Sequence, residues 1–146
     1  EKLADLRGRL LSLVGADAEA FGPLAAAYRM PKDTPEQLAA KQVAIQDALV
    51  DATEVPLDIM RTAAACVEHA DFLARNGSRM ARSDAGVSVA FARAAVDGAS
   101  LNVYINAASI DDAERAARYR DEANRLVAQT REHCDEVFAF VKDAVS

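Results

Sequence analysis

Hydrophobic residues recur at helical spacing along almost the whole of this 146-residue chain. In the first segment they stand at Leu3, Leu6, Leu10, Leu13 and Val14. A spacing of three to four residues places side chains on one face of an α-helix. The pattern predicts a first helix over residues 1–28, with a kink or a new turn at Gly15 or at Gly22-Pro23.

A second helix is predicted after a short turn, because Thr34 can cap its first turn and Pro35 suits its first position. Its apolar face is formed by Leu38, Val43, Ile45 and Leu49. Pro56 interrupts the pattern further along, but apolar residues resume at once. The sequence therefore predicts one long kinked helix, or two abutting helices, ending at Asn76-Gly77.

Polar residues break the ordinary helical pattern between positions 83 and 106. Ser83 can cap a helix whose first turn carries Asp84, where a carboxylate complements the positive end of the helix dipole. Small residues follow, and Asp97-Gly98 is expected to end this helix. In LNVYIN (101–106) apolar and polar residues alternate as in a strand, but a lone strand has no partner, so a helix is predicted.

The last helix is predicted from about residue 111 to about residue 145, and a short basic link over residues 78–82 precedes the central segment. A chain of 146 residues is expected to form one domain. The composition, 51% hydrophobic but only 5% aromatic, suits closely packed helices. We therefore expect an all-α fold, a single-domain bundle of about five to six helices, some of them long and kinked.

The formal net charge of −6 and the lack of a lysine- or arginine-rich block argue against nucleic acid or an anionic membrane as the main partner. We expect no membrane-spanning segment, and no signal-peptide pattern is visible, so a cytoplasmic location is predicted. Cys66 and Cys134 lie on different predicted helices. Such a sparse pair is expected to form two buried thiols rather than a disulfide.

The sequence lacks the common signatures of several enzyme classes. It has no GxSxG element, no phosphate-binding glycine loop and no dinucleotide fingerprint. Cys66 and His69 stand three positions apart on a predicted helix, but neither His133 nor any other residue forms a second pair with zinc-like spacing. No metal site is therefore predicted. An obvious nucleophile for covalent catalysis is also missing, which leaves acid–base and electrostatic chemistry.

Three charged residues are candidates for that chemistry, namely Asp17, Lys32 and Asp84. Each also has a purely structural interpretation. Asp84 and its neighbour Ser83 then only cap a helix, and Lys32 is a solvated surface charge. Asp17, in the same interpretation, belongs to a charged helix face.

Asn102 and Asn106 stand four positions apart, so a helix places both amides on one face among apolar residues. Buried amides require partners. An amide offers both a donor and an acceptor, which suits the edge of a ligand ring. The alternative is that the two side chains cross-brace neighbouring helices.

Four short segments stand out along the chain: AYRMPK (27–32), EVPLDI (54–59), SDAGV (83–87) and GASLNVYIN (98–106). In this order they resemble the C-terminal domain family of formiminotransferase-cyclodeaminase, which includes single-domain methenyltetrahydrofolate cyclohydrolases. The resemblance covers nearly the whole chain. It implies an all-helical, dimeric protein that acts on one-carbon tetrahydrofolates.

The resemblance implies an enzyme that hydrolyses 5,10-methenyltetrahydrofolate to 10-formyltetrahydrofolate, or closes 5-formiminotetrahydrofolate to the methenyl form with release of ammonia. Asp84 and Lys32 are then base and acid, in either order, with Asp17 as a third catalytic candidate. The residues expected to bind substrate are Ser83, Asn102, Asn106, Tyr28 and Arg29. A tetrahydrofolate derivative is the expected substrate, and no metal is expected.

A non-catalytic helical interaction or scaffold domain is the alternative, because the alanine-rich bulk of the chain carries no chemistry by itself. We further expect a homodimer with the ligand groove at or near the subunit interface. The resemblance also implies a glycine- and alanine-rich first helix that has no counterpart in residues 1–146. We therefore expect that an N-terminal helix that completes the site is missing from this domain.

Overall fold

The computed structural model describes residues 2–146, and that part of the chain contains four long α-helices and no strand. The helices are α1 (Lys2–Arg29), α2 (Pro35–Asn76), α3 (Arg82–Ala107) and α4 (Ala113–Val145), with a 3₁₀ turn at Arg79–Ala81. Glu1, with which the first helix was expected to begin, lies outside the described residues. The all-α prediction is confirmed, whereas the predicted five to six helices are too many.

The count was too high because three expected breaks are absent. Helix α1 continues through Gly15 and Pro23, and α3 continues through Gly98. A glycine inside a helix costs only about 1 kcal/mol relative to alanine. In α3 the buried side chains Val96 and Ala99 on either side of Gly98 hold the helix against its neighbours. Packing therefore outweighs the local preference for a break.

The predicted start of α2 is confirmed in detail. Thr34 Oγ1 accepts a hydrogen bond from the Gln37 backbone at 3.2 Å, and Gln37 Oε1 accepts one from the Thr34 backbone at 3.3 Å. Pro35 occupies the first helical position, where its missing N–H has no cost. This reciprocal capping satisfies two donors that the first turn would otherwise leave unpaired.

Helix α2 is the centre of the bundle, because it packs against α1, α3 and α4. Helix α3 also packs along α4, whereas α1 has α2 as its main neighbour. The buried core contains large side chains at its centre, including Leu57, Met60, Val96 and Val103. Elsewhere alanines fill the contacts and allow the helices to approach closely.

Helix α1 is, by length and composition, the one helix in residues 2–146 that is apolar enough to cross a membrane. No such segment was expected from the sequence. The same test is also met by core helices that never enter a bilayer. Asp17 and Glu19 lie near the middle of α1, where a bilayer would make carboxylates costly.

The two cysteines are free thiols, as predicted. Cys134 is buried and its Sγ donates a hydrogen bond to the backbone oxygen of Val89, while Cys66 is half-buried. Burial raises the pKa of both thiols. They are therefore held in the neutral form, which is the less reactive one.

Candidate functional site

A groove of 630 Å³ opens between the first part of α1, the second half of α2 and the first half of α3. Its lining is mainly apolar and includes Leu10, Leu73 and Phe91. The polar side chains that line it belong to Arg7, Cys66, Asp84 and Ser88. A mostly apolar cleft with a few polar groups is the usual form of a small-molecule site.

Asp84 is the predicted catalytic residue that lines this groove. It lies in the first turn of α3, where the helix dipole favours a carboxylate, and its side chain is exposed. The hydroxyl of Ser88 donates a hydrogen bond to the Asp84 backbone oxygen at 2.8 Å. The carboxylate therefore stands at a helix start beside an apolar surface.

Ser83 does not cap α3, contrary to the prediction. The 3₁₀ turn leads directly into α3, so Ala81 takes the capping position with helical φ and ψ angles of −85° and −7°. A capping side chain requires an extended backbone at that position, and this continuous start does not provide one. Ser83 lies instead in the first turn, exposed and next to Asp84.

Gly86 fixes the position of this first turn. A Cβ atom at Gly86 would lie 2.9 Å from Cγ1 of Val141, so only glycine lets α3 approach α4 this closely. The segment SDAGV therefore joins two functions. Its glycine seats the helix on α4, and its aspartate is directed to the groove by that placement.

Tyr28, Arg29 and Lys32 lie at the opposite end of α1 from the groove. Leu10 is the last residue of α1 that lines the groove, and at 1.5 Å per residue Arg29 is about 28 Å further along. Lys41 Nζ donates a hydrogen bond to the Tyr28 backbone oxygen at 2.7 Å and so stabilises the C-terminal end of α1. Lys32 is exposed.

Asp17 lies between these two ends. It is half-buried near the middle of α1, about 10 Å beyond Leu10 along the helix, and it is not among the residues that line the groove. A single chain therefore does not gather Asp17, Lys32 and Asp84 into one site.

Asn106 compensates for a gap in the hydrogen bonding of α2. Pro56 has no N–H, so the backbone oxygen of Ala52, four residues earlier, has no helical donor. Asn106 Nδ2 donates a hydrogen bond to that oxygen at 2.6 Å. This contact links EVPLDI to LNVYIN and favours the cross-bracing interpretation of Asn106, although its Oδ1 keeps its acceptor capacity.

Asn102 is exposed, and the structure gives no evidence that it braces a helix. It lies on the same helix as Asp84, about 27 Å further along the axis at 1.5 Å per residue. A hydrogen bond between Asp84 and either asparagine of the same chain, which the sequence analysis considered, is therefore excluded by geometry.

A cluster of charges around Arg61 was not predicted from the sequence. Its guanidinium forms a two-pronged pair with Glu122, at 2.8 and 2.9 Å, and also contacts Glu54 and Asp58 of α2. The hydrogen bonds that Glu122 accepts from Arg61 lower the pKa of Glu122. The same bonds are the main cause of the raised pKa of Arg61, to which the bonds to Glu54 and Asp58 add. The spacing of Glu54, Asp58 and Arg61 on one helix face was the available sign.

Metal binding has no visible basis in the part of the chain that the structure describes. No three His, Cys, Asp or Glu side chains within residues 2–146 are placed to hold a metal ion. His133 lies 3.5 Å from a carboxylate oxygen of Asp71 and so has a polar partner of its own. The absence of a metal from the site stays a prediction.

Residues 1–125 match the family model described as formiminotransferase-cyclodeaminase. The chain therefore belongs to this family, as the four segments led us to predict.

Among curated relatives, the chain is 37% identical to a methenyltetrahydrofolate cyclohydrolase of Methylorubrum extorquens, over 100% of this chain and 70% of that protein. It is 35% identical over 123 residues to the formimidoyltransferase-cyclodeaminase of Sus scrofa, of which it covers 23%. Its fold is similar to that of formiminotetrahydrofolate cyclodeaminase from Thermotoga maritima, with a TM-score of 0.73 and 23% identity. That match covers 99% of this chain and 66% of the other.

Proposed function

We propose that this domain is a one-carbon folate enzyme that hydrolyses 5,10-methenyltetrahydrofolate to 10-formyltetrahydrofolate. The observation that carries the proposal is the 37% identity over the whole chain to a cyclohydrolase. The groove beside Asp84 supports it, because a folate offers a flat ring that an apolar cleft can hold. The carboxylate of Asp84 at this cleft is also a group that acid–base chemistry can use.

The reaction needs one base and one acid. Water attacks the methenyl carbon, a C–O bond forms, and a base takes one proton of the water. The resulting tetrahedral carbon lies between N5 and N10. Loss of the hydroxyl proton then forms the formyl C=O bond, the bond to N5 breaks, and an acid protonates N5. The overall reaction consumes one water and releases one proton.

Asp84 and Lys32 are the proposed base and acid, in either order, and Asp17 is a further candidate. Asp84 lines the groove, whereas Lys32 lies at the far end of α1. We therefore propose that the active unit is a homodimer in which the far end of one chain meets the groove of the other. Ser83, Tyr28, Arg29 and Asn102 remain the proposed contacts to substrate, with Asn106 contributing at most its Oδ1.

The direct test is the loss of methenyl absorbance when the protein is added to 5,10-methenyltetrahydrofolate. We expect a rate well above the spontaneous hydrolysis in buffer, saturating with substrate. A rate equal to that of buffer, with a folded protein, would contradict the proposal. Stabilisation by a tetrahydrofolate analogue, seen as a higher Tm, separates an enzyme from a scaffold even where turnover is slow.

The second candidate function is cyclodeaminase activity. It is favoured by the 35% identity to the formimidoyltransferase-cyclodeaminase of Sus scrofa, and the fold is similar to that of the Thermotoga maritima cyclodeaminase. In this reaction N10 attacks the formimino carbon and loses its proton. The imino nitrogen takes up two protons, one of them equivalent to the N10 proton and one from an acid, and the C–N bond to this nitrogen breaks with release of ammonia. Ammonia release from 5-formiminotetrahydrofolate, measured beside methenyl hydrolysis, distinguishes the two activities. We expect the hydrolysis to be faster, because the cyclohydrolase shares more of its length with this chain.

A further inference from the structure

Arg7 is the one cation among the described residues that line the groove, and Asp84 is the one anion. Leu3, Arg7 and Leu10 are four and three positions apart, so they share the face of α1 that is turned towards the cavity. The methylene stem of Arg7 can lie along this apolar wall while its guanidinium stays in water. The groove therefore carries one positive and one negative group on otherwise mainly apolar walls.

Neither of these two charges has an ion-pair partner within residues 2–146. Arg9, two positions from Arg7, pairs with Asp58 at 3.2 Å. The oxygen of Asp84 that Ser88 contacts belongs to the backbone and not to the carboxylate. Because the nearby walls are apolar, a ligand charge that approaches either group is attracted more strongly than in bulk water. Both groups are therefore available to a ligand.

Arg7 lies at one end of the groove. Along α2 the lining runs from Ala63 to Leu73, about 15 Å at 1.5 Å per residue. Arg9, just over half a turn further along α1, contacts Asp58, which precedes Ala63 by little more than one turn. Arg7 is therefore beside the Ala63 end of the cavity.

Asp84 lies at the other end of the groove. Helix α2 ends at Asn76 and the 3₁₀ turn leads directly into α3, so the first turn of α3 lies beside the last turns of α2. The buried side chains of Ala74 and Ala85 belong to the same core cluster, in agreement with this level. A ligand that reaches both charges must therefore span most of the groove, on the order of 15 Å.

A reduced folate has its groups distributed in this way. The flat bicyclic ring and the reacting carbon are at one end, an aminobenzoyl ring follows, and the glutamate carboxylates are at the other end. Phe91, exposed and lining the groove between the two charges, offers an aromatic face to the benzoyl ring. Arginine suits a carboxylate, because its planar guanidinium presents two parallel N–H donors.

We propose that Arg7 binds a carboxylate of the glutamate tail and so determines specificity for this end of the substrate, an inference that rests on the proposed function. With the reacting carbon at Asp84, Arg7 is on the order of 15 Å away and contacts no reacting atom. Such a contact is equally strong in the bound substrate and in the transition state. It therefore lowers KM and leaves kcat nearly unchanged.

The first experiment compares two substrates with wild type and with Arg7→Gln. One is 5,10-methenyltetrahydrofolate, and the other is the same molecule with an uncharged methylamide in place of the glutamate. Wild type should show a KM about 10-fold lower for the glutamate form, the scale of one hydrogen bond between charged groups. Arg7→Gln should lose this preference, with a kcat for the glutamate form within about twofold of wild type. An equal rise of KM for both substrates would show a merely structural role and would overturn the proposal.

Arg9→Gln is the matched control, since it makes the same change on the same helix at a side chain whose partner is outside the groove. This variant should keep the preference for the glutamate form. Arg7→Lys should keep part of it, because lysine retains the charge without the paired N–H donors. The Tm of ligand-free Arg7→Gln should equal that of wild type, because Arg7 is exposed. A preference that Arg9→Gln removes as fully as Arg7→Gln would count against a specific role of Arg7.

A binding measurement separates failure of the proposed function from failure of the tail contact. The two probes are tetrahydrofolate and its uncharged methylamide counterpart, titrated into each variant at equilibrium, with the rise in Tm as a second readout. If wild type hydrolyses neither substrate, the proposed function fails, and a tighter Kd for tetrahydrofolate that Arg7→Gln abolishes still supports the tail contact. If wild type hydrolyses both substrates and binds both probes equally well, the proposed function stands and Arg7 has no part in specificity.

Discussion

At the scale of single residues, Asp84 is the position where the sequence and the structure point to the same chemistry. We expect Asp84→Asn to lower kcat by on the order of 10²–10⁴-fold, the usual share of a general acid or base. The free energy of unfolding should change by less than about 1 kcal/mol, since the side chain is exposed and only favours the helix dipole.

Steady-state kinetics and thermal unfolding measure both quantities for Asp84→Asn. Asp5→Asn, which changes another carboxylate in the first turn of a helix, is the matched control and should keep full activity. Equal activity of the two variants would remove Asp84 from the mechanism.

Asn106 has a structural role that a double-mutant cycle can measure. Asn106→Ala leaves the Ala52 oxygen without a donor and should cost about 1–3 kcal/mol of unfolding free energy. Pro56→Ala restores a backbone N–H for the same oxygen, so the cost of Asn106→Ala should shrink in that background. Asn102→Ala, an exposed change on the same helix, should stay within about 0.5 kcal/mol. Additive costs for Asn106 and Pro56 would contradict this account.

The sequence identified Asp84 because a carboxylate beside a serine at a helix start is a local pattern. The sequence could not choose between the two roles of Asn106, since its partner, the backbone oxygen of Ala52, is 54 positions away. That oxygen is free to accept a hydrogen bond only because Pro56 has no N–H. The Arg61 cluster was missed for a similar reason. Its strongest partner, Glu122, lies on another helix, and charge spacing on one helix is common on solvated faces.

At the scale of secondary structure, Gly86 determines how α3 meets α4. Gly86→Ala places a methyl group 2.9 Å from Val141, so we expect a net loss of about 1–3 kcal/mol of unfolding free energy despite the better helix propensity of alanine. The change Val141→Ala should reduce that loss by opening space. Gly15→Ala, at a helical glycine with no atom nearby, should instead stabilise by about 0.5–1 kcal/mol. Chemical denaturation of the four variants checks these signs.

The helix limits themselves were largely predictable where side chains cap them. Thr34 caps the start of α2 and Asp112 caps the start of α4, and both side chains accept a hydrogen bond from a backbone N–H of the first turn. The expected breaks at Gly22-Pro23 and at Gly98 did not occur, because long-range packing decides whether a helix tolerates a poor residue. Helix α3 starts two residues earlier than predicted, with Ala81 instead of Ser83 at the capping position, since a 3₁₀ turn replaced the capped loop.

At the scale of the whole molecule, the cluster around Arg61 connects α2 to α4 and makes the free energy of unfolding depend on pH. The folded state lowers the pKa of Glu122 below its ordinary value of 4.5, so the unfolded chain binds more protons in acid. The stabilisation is therefore present above about pH 4.5 and is lost as the pH falls further.

Arg61→Met should abolish this contribution and leave Glu54, Asp58 and Glu122 to repel one another. The variant should be less stable than wild type at pH 7, with a difference that narrows as the pH falls below about 4.5 and these carboxylates take up protons. Arg61→Lys keeps the charge without the two-pronged geometry, so its free energy of unfolding should lie between those of wild type and Arg61→Met. Urea unfolding across this pH range measures the effect, and a constant difference would argue against it.

Membership in the formiminotransferase-cyclodeaminase family was predictable because its segments are local strings of residues. The homodimer and the cytoplasmic location stay predictions. The arrangement of the proposed site residues could not be foreseen, because residues that share a family pattern can lie at opposite ends of one long helix. Only the packing of α1, α2 and α3 shows which of them reach the groove.

The attachment of α1 has a consequence for the slow opening motions of the protein. Since α1 packs mainly on α2, while α2, α3 and α4 pack on one another, α1 can detach without unfolding the rest. Its amide hydrogens should therefore exchange with deuterium faster than those at the centre of α2. Because α1 forms one wall of the groove, a bound folate analogue should slow that exchange selectively. Equal protection of α1 and α2 would show instead that the four helices open only together.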